Sequence, residues 1–176
     1  MKRLFILALL SITNICTSFA QEKLFPVIEG YGAIEVVDFE SVKPDPNQTY
    51  KLIDELYFRQ EDKEKIYGNL NYSARIVNAH AAADIPKENL KMAIVIFSGA
   101  TPAILSNAEY KKRFGFDNPN IEVLDRLMAA GVDIIVCGQS MVKQNIAPDL
   151  VHKGVIHAFS RITATSDLIR KGYNTL

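Results

Sequence analysis

The hydrophobic positions along the chain follow two different periods, and these predict strands that alternate with helices. Residues 90–97 and 132–137 are apolar except for Lys91 and Asp133 near their starts, a pattern typical of strands covered on both faces. Residues 50–58 predict an earlier strand, although Asp54 and Glu55 interrupt its apolar run. A shorter run at residues 155–159 predicts a last strand. The chain therefore contains several strands of the kind that form a buried sheet.

Helical spacing and capping residues occupy the intervals between these strands. In residues 68–84, apolar side chains recur every three or four positions as one stripe, formed by Leu70, Ala74, Val77 and Ala81. Residues 118–131 predict the best-delimited helix, with Asn118 as its cap, Pro119 in its first turn and Gly131 at its end. Further helices are predicted within residues 98–115, from residue 138 onward, and over residues 160–172.

This order of elements predicts the fold class. Strands that alternate with helices form an α/β fold of three layers, in which a mostly parallel sheet carries helices on both faces. Ligands bind such sheets beyond the carboxyl ends of the strands. Two turns follow predicted strand ends, at residues 98–102 and 137–140. We therefore expect a functional site at these two turns.

The first twenty residues are typical of a signal peptide. Lys2 and Arg3 precede an apolar stretch, and Ser18 and Ala20 supply the small residues of a cleavage site. The apolar stretch is shorter than the roughly 20 residues that a membrane span requires, although an uncleaved anchor remains an alternative. We therefore expect a cleaved signal peptide over residues 1–20 and a periplasmic or secreted protein.

Residues 21–49 differ in character from the predicted α/β domain, which spans residues 50–176. This N-terminal arm is rich in turn-forming residues and contains one short predicted strand at residues 34–37. Its apolar side chains must be buried somewhere. Packing on a neighbouring subunit and packing on its own domain are both open alternatives.

Charge and motifs exclude several classes of function. The full chain has 20 basic and 20 acidic residues, so it has no basic surplus for binding nucleic acid or an anionic membrane. It lacks the glycine-rich nucleotide motifs and the Gly-x-Ser-x-Gly elbow, and His80, His152 and His157 do not have zinc-site spacing. We therefore expect no metal and no cofactor. A pair between Cys137 and His152 or His157 depends on a proximity that the sequence does not show.

Cysteine is rare in this chain, which makes its position informative. Cys16 lies in the predicted signal peptide, so cleavage would leave Cys137 as the only thiol, unable to form an internal disulfide. Cys137 stands where a predicted strand meets a helix, and N–H groups at a helix start stabilise a thiolate. Gly138, Gln139 and Ser140 are the adjacent candidate binding residues. The alternative is a small, buried core residue.

The turn at residues 98–102 is the second candidate for binding. The backbone N–H groups of Gly99, Ala100 and Thr101 could cradle an anion and face Cys137. The alternative is an ordinary turn between strand and helix, with Thr101 as the helix cap.

Several stretches together resemble the exported bacterial branch of the DsrE/DsrF-like family. They are "FPVIEGYG", "KPDPNQTYKLI", the segment from "GATPAILSNAEYKKRFGFDNPN" to "VCGQS", and "GYNTL", and they cover the chain from Phe25 to Tyr173. The resemblance implies a largely parallel sheet of about five strands and assembly into trimers or hexamers. It also implies sulfur relay, in which a strand-end cysteine receives sulfane sulfur as a persulfide and passes it to the next carrier. The matching residue here is Cys137.

One position departs from this pattern. Many similar sequences have a histidine where this chain has Phe97, so any help that the histidine gives the thiol is missing. The sequence therefore predicts a periplasmic persulfide carrier with a protein sulfur donor or acceptor. The candidate site consists of Cys137 with Gly138, Gln139, Ser140, Gly99, Ala100 and Thr101. The alternative is a non-catalytic oligomer that binds a small ligand or assembles with envelope proteins.

Overall fold

The computed structural model describes residues 23–176, so the predicted signal peptide lies outside the described residues. Seven strands occur in the described part of the chain: β1 (Lys23–Leu24), β2 (Ile34–Glu35), β3 (Tyr50–Leu56), β4 (Leu90–Ile96), β5 (Asp133–Cys137), β6 (Ile156–Ala158) and β7 (Asn174–Thr175). Five of them form one sheet in the order β6-β5-β4-β3-β7, and all four pairings are parallel. Strands β1 and β2 form a separate antiparallel pair.

The described residues also form helices between these strands: α1 (Gly68–Ala82), α2 (Asn107–Phe114), α3 (Ile121–Ala129), α4 (Gly138–Lys143) and α5 (Arg161–Arg170). Short 3₁₀ helices span Lys87–Asn89, Ser98–Ile104 and Pro148–Leu150. None of the helices within residues 23–176 combines the length and the apolar character needed to cross a membrane.

The sheet separates two apolar cores of unequal size. On one face, the inner side chains of α1 and α3 pack on the sheet in the larger core, to which α4 contributes Met141. On the other face, Leu168 of α5 packs against a small core formed by Ile53, Ala93, Val95 and Ile135. Helices therefore cover both faces of a parallel sheet, which confirms the predicted α/β class.

The smaller core leaves apolar side chains in solvent around it. Five of them lie on β6, between β6 and α5, on α5 or at the chain end, and are between 46% and 78% exposed: Ile156, Phe159, Ile162, Ile169 and Leu176. Single exposed apolar residues are common on protein surfaces, but several of them on α5 and on the chain segments around it mark a candidate contact surface. We call these five residues the α5-side apolar face.

An acidic residue inside β3 explains why that strand was harder to predict. Asp54 is only 9% exposed, and its Oδ2 accepts a hydrogen bond of 2.6 Å from the Ser73 hydroxyl of α1. Burial raises the pKa of Asp54, and the hydrogen bond from Ser73 opposes this rise without cancelling it. The carboxyl group is thus a buried polar contact between sheet and helix.

The first part of the N-terminal arm packs on its own domain. Ile28 is 1% exposed and belongs to the larger core. The Asn78 side chain of α1 accepts hydrogen bonds from the N–H groups of Val27 and Ile28, and it donates to the carbonyl groups of Ile28, Tyr31 and Gly32. One buried amide therefore holds this turn of the arm. Later in the arm, Val36, Val37, Phe39 and Val42 are exposed.

Two predicted boundaries are wrong, and one strand was not predicted. Helix α3 begins at Ile121, so Pro119 precedes its first turn, and its N-cap is Asn120 rather than Asn118. The Asn118 side chain instead donates to the Ala103 and Leu105 carbonyl groups.

The other two differences concern short strands. The strand predicted at residues 34–37 contains only Ile34 and Glu35, and it pairs with β1 outside the main sheet. The fifth strand of the main sheet is β7, which the sequence pattern did not predict; it follows α5 and pairs with β3.

Candidate functional site

The two turns that follow β4 and β5 are joined by hydrogen bonds. The Ser98 N–H donates to the Ser140 Oγ at 2.9 Å, and the Gln144 Nε2 donates to the Ser98 carbonyl oxygen at 2.8 Å. Strands β4 and β5 are parallel neighbours, so their carboxyl ends meet at one edge of the sheet. The structure therefore brings the two predicted turns together.

Ser98 has a strained backbone at this junction. Its φ is +51°, a left-handed conformation that non-glycine residues rarely adopt. The hydrogen bonds from and to α4 hold both of its backbone polar groups, and the Thr101 hydroxyl also donates to the Ser98 carbonyl at 2.9 Å. Strain that is held in this way is frequent at binding sites.

Gly138 lets the end of β5 approach the end of β6. A Cβ atom at Gly138 would lie 2.8 Å from the Ala158 carbonyl oxygen and 3.2 Å from the Phe159 carbonyl oxygen. Both separations are shorter than ordinary contacts, so only glycine fits without displacement of the neighbouring chain. The close approach that Gly138 permits is therefore made by protein backbone.

The Cys137 thiol lies between the starts of two helices. Cys137 is 4% exposed, and burial alone would raise the pKa of its thiol. Hydrogen bonds to the sulfur from the Ser140 hydroxyl and from the N–H groups of Arg161, Ser140 and Gln139 outweigh burial, so the pKa lies below its ordinary value. These donors belong to the first turns of α4 and α5. The arrangement favours a thiolate, although the residue is buried.

An open cleft of about 970 Å³ lies beside this thiol at the same edge of the sheet. Gly99, Gln139 and Ser140 line it, together with side chains from the loop after β3 and from α2 and α4. Cys137 does not line the cleft, but its hydrogen-bond partner Ser140 does. The thiol therefore contacts a residue of the cleft wall without lining the cleft itself.

Two of the predicted binding residues face the interior instead. Ala100 is 2% exposed and Thr101 is 0% exposed, and neither lines the cleft. Thr101 lies inside the 3₁₀ helix rather than at its start, so the prediction that it caps this helix is wrong. The N–H groups of Ser98 and Ala100 already have protein acceptors, which leaves the turn fewer N–H groups for an anion than expected.

Phe97 is the neighbour of Cys137 on the same face of the sheet. Ile96 pairs with Val136, so Phe97 and Cys137 are the next residues along the two strands. The Phe97 ring stacks on Tyr57, with 5.3 Å between ring centroids, and the Arg161 guanidinium lies 4.8 Å from the Phe97 ring centroid. An aromatic ring under a cation thus occupies the position where many similar sequences have histidine.

Neither histidine considered as a partner of Cys137 contacts the thiol. His157 pairs with Val136, so its side chain lies on the opposite face of the sheet from Cys137. His152 lies 3.3 Å from the Asp125 carboxylate instead. Within residues 23–176, no group of three or more His, Cys, Asp or Glu side chains is placed to hold a metal ion.

Comparison with known proteins identifies the family. The sequence profile of the DsrE/DsrF-like family matches residues 62–176, which is more than half of the chain. The chain belongs to the DsrE/DsrF-like family. This confirms the resemblance seen in the sequence, whereas a search of curated proteins gave no match.

Two solved structures show the same fold as this DsrE/DsrF-like protein. The protein of unknown function MTH1491 from Methanobacterium thermoautotrophicum is 14% identical, with a TM-score of 0.52, and the match covers 72% of this chain and 97% of that one. The ychN protein from E. coli is 15% identical, with a TM-score of 0.52, and the match covers 73% of this chain and all of that one. At these identities the likeness concerns the fold alone.

Sequence reasoning missed several residues around the site of this DsrE/DsrF-like protein. Arg59 and Lys63 line the cleft from the loop after β3, and Lys143 lines it from α4. The N–H group of Arg161, far along the chain, contributes to the thiol environment. The parallel order of the strands gave a usable signal, because the residues after β3 reach the same sheet edge as those after β4 and β5.

Proposed function

We propose that this DsrE/DsrF-like protein is a persulfide carrier in which Cys137 accepts sulfane sulfur and passes it on. The observation that carries the proposal is the thiol environment: Cys137 stands at a strand end, and four hydrogen-bond donors lower the pKa of its thiol. Sulfur relay is also the activity that the family resemblance implies. Among the described residues Cys137 is the one free cysteine.

The chemistry requires only a thiolate and a donor. The Cys137 thiolate attacks the outer sulfur of a persulfide, R–S–SH, and a new sulfur–sulfur bond forms as the donor's bond breaks. The products are Cys–S–SH and R–S⁻, so charge and electrons balance without an oxidant or a metal. The hydrogen-bond donors around the thiol stabilise negative charge on sulfur both before the attack and in the bound persulfide.

Location and assembly belong to the same proposal. The sequence of residues 1–20 supports export to the periplasm or to the outside of the cell. The α5-side apolar face supports a homo-oligomer, because a second copy of the chain would remove its exposed side chains from water. Phe159, which follows β6, is 78% exposed and lies next to Gln139, so this contact would lie near the site.

A specific observation favours a second function. Cys137 is 4% exposed, and a thiol that reagents cannot reach would serve only as a packing residue. The protein would then be a non-catalytic oligomer that binds a small ligand or assembles with envelope proteins. The cleft beside Cys137 is compatible with this role.

Alkylation of the folded protein distinguishes the two functions. Folded and urea-unfolded protein are treated with iodoacetamide across a pH series, and the tryptic peptide of residues 127–143 is quantified by mass spectrometry. A carrier is expected to react while folded, with a pH midpoint below that of the unfolded chain. Reaction only after unfolding would refute the carrier function and support the packing role.

A further inference from the structure

The open cleft at the carboxyl end of the sheet has features that the thiol chemistry does not explain. Its volume of about 970 Å³ is in the range of sites for small organic molecules rather than single ions. Three segments form its walls: the loop after β3, the start of the 3₁₀ helix after β4, and α4. Gly99 allows the first two to meet, since a Cβ atom there would lie 2.8 Å from the Arg59 nitrogen.

The charged side chains that line the cleft are all basic. They are Arg59, Lys63, Arg113 and Lys143. Arg113 forms an ion pair with Glu109, with 2.6 Å between Nε and Oε1. Arg113 also donates hydrogen bonds to the carbonyl groups of Gln144 and Asn145. The cationic groups of Arg59, Lys63 and Lys143 have no hydrogen bond and no ion pair among the described residues.

One carboxylate lies close to these cations without lining the cleft. Burial lowers the pKa of Lys63; the carboxylate of Glu61 opposes this effect in part, and the nearby Arg59 adds to it. The Asp62 carboxylate forms an ion pair with Lys65, with 2.9 Å between Oδ2 and Nζ. The cleft therefore retains a net positive charge, and an anion would gain three charged partners without displacing an existing ion pair.

Aromatic rings form another part of the same wall. Tyr57 and Phe58 line the cleft, are 42% and 61% exposed, and pack together with 4.2 Å between their ring centroids. Phe114 lines the cleft as well. The Ser98 hydroxyl also lines it and has no hydrogen-bond partner in the described chain. Exposed rings beside unpaired cations fit a ligand that has both an apolar part and negative groups.

We propose that this cleft binds a small organic molecule that carries at least two negative charges, such as carboxylates or sulfonates, beside an apolar or aromatic part. Arg59, Lys63 and Lys143 hold the negative groups, and Tyr57 and Phe58 contact the apolar part. The volume of the cleft argues against a bare inorganic ion. Sequence reasoning had placed an anion on the backbone of residues 98–102, whereas this site uses side chains.

The cleft also specifies the sulfur donor, and this part rests on the proposed function. Ser140 both lines the cleft and donates a hydrogen bond to the Cys137 sulfur. A ligand held by the three cations would therefore lie beside a side chain that contacts the thiol. The donor is then an organic persulfide with acidic groups, and binding itself does not require the thiol.

Calorimetric titration of the full chain tests the ligand class with three matched probes. Benzene-1,3-disulfonate has the ring and two charges, benzene-1,3-disulfonamide has the ring without charge, and inorganic sulfate has the charge without the ring. We expect the disulfonate to bind with a dissociation constant below millimolar. The affinity of the other two should be lower by about tenfold or more. Added salt should weaken the binding of the disulfonate.

Two triple variants test the residues. Arg59→Gln/Lys63→Gln/Lys143→Gln should weaken disulfonate binding about tenfold or more. The control Arg170→Gln/Lys91→Gln/Lys153→Gln removes the same number of positive charges, at exposed positions away from the cleft, and should bind as the unmodified protein does. Circular dichroism checks folding. If the first variant does not fold, Lys143→Gln alone, on the exposed side of α4, should still weaken binding.

The outcomes separate this inference from the proposed function. Absence of disulfonate binding, equal binding by the disulfonamide or by sulfate, or an unchanged affinity in the first variant would each overturn the ligand class. Cys137→Ser should bind the disulfonate normally even if no sulfur transfer to Cys137 is ever detected. If Cys137 forms a persulfide but the protein binds no disulfonate, the carrier function stands and the ligand class proposed for the cleft is refuted.

Discussion

Ser140 connects the thiol, the strained turn and the cleft. Its hydroxyl hydrogen-bonds to the Cys137 sulfur, its oxygen accepts from the Ser98 N–H, and the residue lines the cleft. A hydroxyl can donate one hydrogen bond while it accepts others, so these contacts are compatible. Ser140 thus influences the charge of the thiol and also forms part of the cleft wall.

Loss of the Ser140 hydroxyl should make the thiol less acidic. Ser140→Ala removes a hydrogen bond that lowers the pKa of Cys137, while the burial that raises this pKa remains. The folded variant should therefore alkylate more slowly at neutral pH, with its pH midpoint shifted upward. The exposed Ser166→Ala change in α5 is the control and should leave the profile unchanged. Equal profiles for all three proteins would contradict this role of Ser140.

The buried carboxyl group of Asp54 should make stability depend on pH. Burial raises the pKa of Asp54 in the folded state, so the folded chain holds this proton more tightly than the unfolded chain. The resulting stabilisation is present below the ordinary carboxyl pKa of about 4 and is lost as the pH rises through the raised pKa.

Asp54→Asn should abolish this dependence, because an amide oxygen can still accept from Ser73 and does not titrate. Urea unfolding at a series of pH values should show that the variant gains stability relative to the unmodified protein as the pH rises from 3 to 7. Asp133→Asn, at an exposed position in β5, is the control. If the stability of the Asp54 variant and that of the unmodified protein change with pH in parallel, Asp54 is not the source of the pH dependence.

At the scale of elements, helix α1 holds the arm mainly through one side chain. Asn78 is 0% exposed and makes five hydrogen bonds to the turn of the arm that contains Ile28. Gly32 completes the contact, since a Cβ atom there would collide with the backbone of Ala74 and Arg75 in α1. Asn78 therefore supplies most of the side-chain hydrogen bonds that fix this turn to α1, and Asn71 and Arg75 add one each, to the Gly32 N–H and the Ala33 carbonyl.

Removal of that amide should release the arm. Asn78→Ala leaves several buried N–H and C=O groups without partners, so the free energy of unfolding should fall by about 2–4 kcal/mol. Limited proteolysis should then cleave within residues 25–35 of the folded variant. Asn89→Ala removes one exposed hydrogen bond, to the Pro46 carbonyl, and should have little effect. A variant as stable and as protease-resistant as the unmodified protein would contradict this account.

The elements that sequence predicted best are those buried on both faces. Strands β4 and β5 end within one residue of the apolar runs that predicted them, because burial on two sides requires continuous apolar sequence. Strand β7 has only the polar residues Asn174 and Thr175, so nothing local distinguishes it from a loop. Its pairing with β3 depends on where α5 places the chain end.

The candidate site was predictable only in part for the same reason. Cys137 and Ser140 could be located because they follow a clear strand. Arg59 and Lys63 follow β3, whose acidic residues weakened its signal, and they carry no motif of their own. Long-range contacts such as that of the Arg161 N–H with the thiol require the folded chain.

For the whole molecule, the unequal cover of the sheet predicts association. Among the described helices, α5 alone packs on its face of the sheet, and the α5-side apolar face remains in water. Light scattering of the 19.7 kDa chain should give a mass several times that of the monomer. Phe159→Ser/Ile162→Ser should reduce this mass, because the two most exposed side chains of the face are lost.

A matched control keeps this prediction specific. Val42→Ser/Tyr72→Ser removes two exposed apolar side chains from the arm and from α1, away from that face, and should leave the assembly unchanged. A monomeric unmodified protein would refute the interface. If the Phe159/Ile162 double variant still assembles, the interface lies on another part of the molecule.

The most direct test of the carrier function is the formation of a persulfide at Cys137. The folded full chain is treated with inorganic polysulfide, and the tryptic peptide of residues 127–143 is weighed by mass spectrometry. Met128 and Met141 lie in the same peptide, and two sulfoxides add nearly the mass of one sulfur atom, so dithiothreitol must remove the increment for it to count. We predict that this peptide gains one removable sulfur atom and that Cys137→Ser gains none. An unmodified peptide from the folded protein, with modification only after unfolding, would contradict the account.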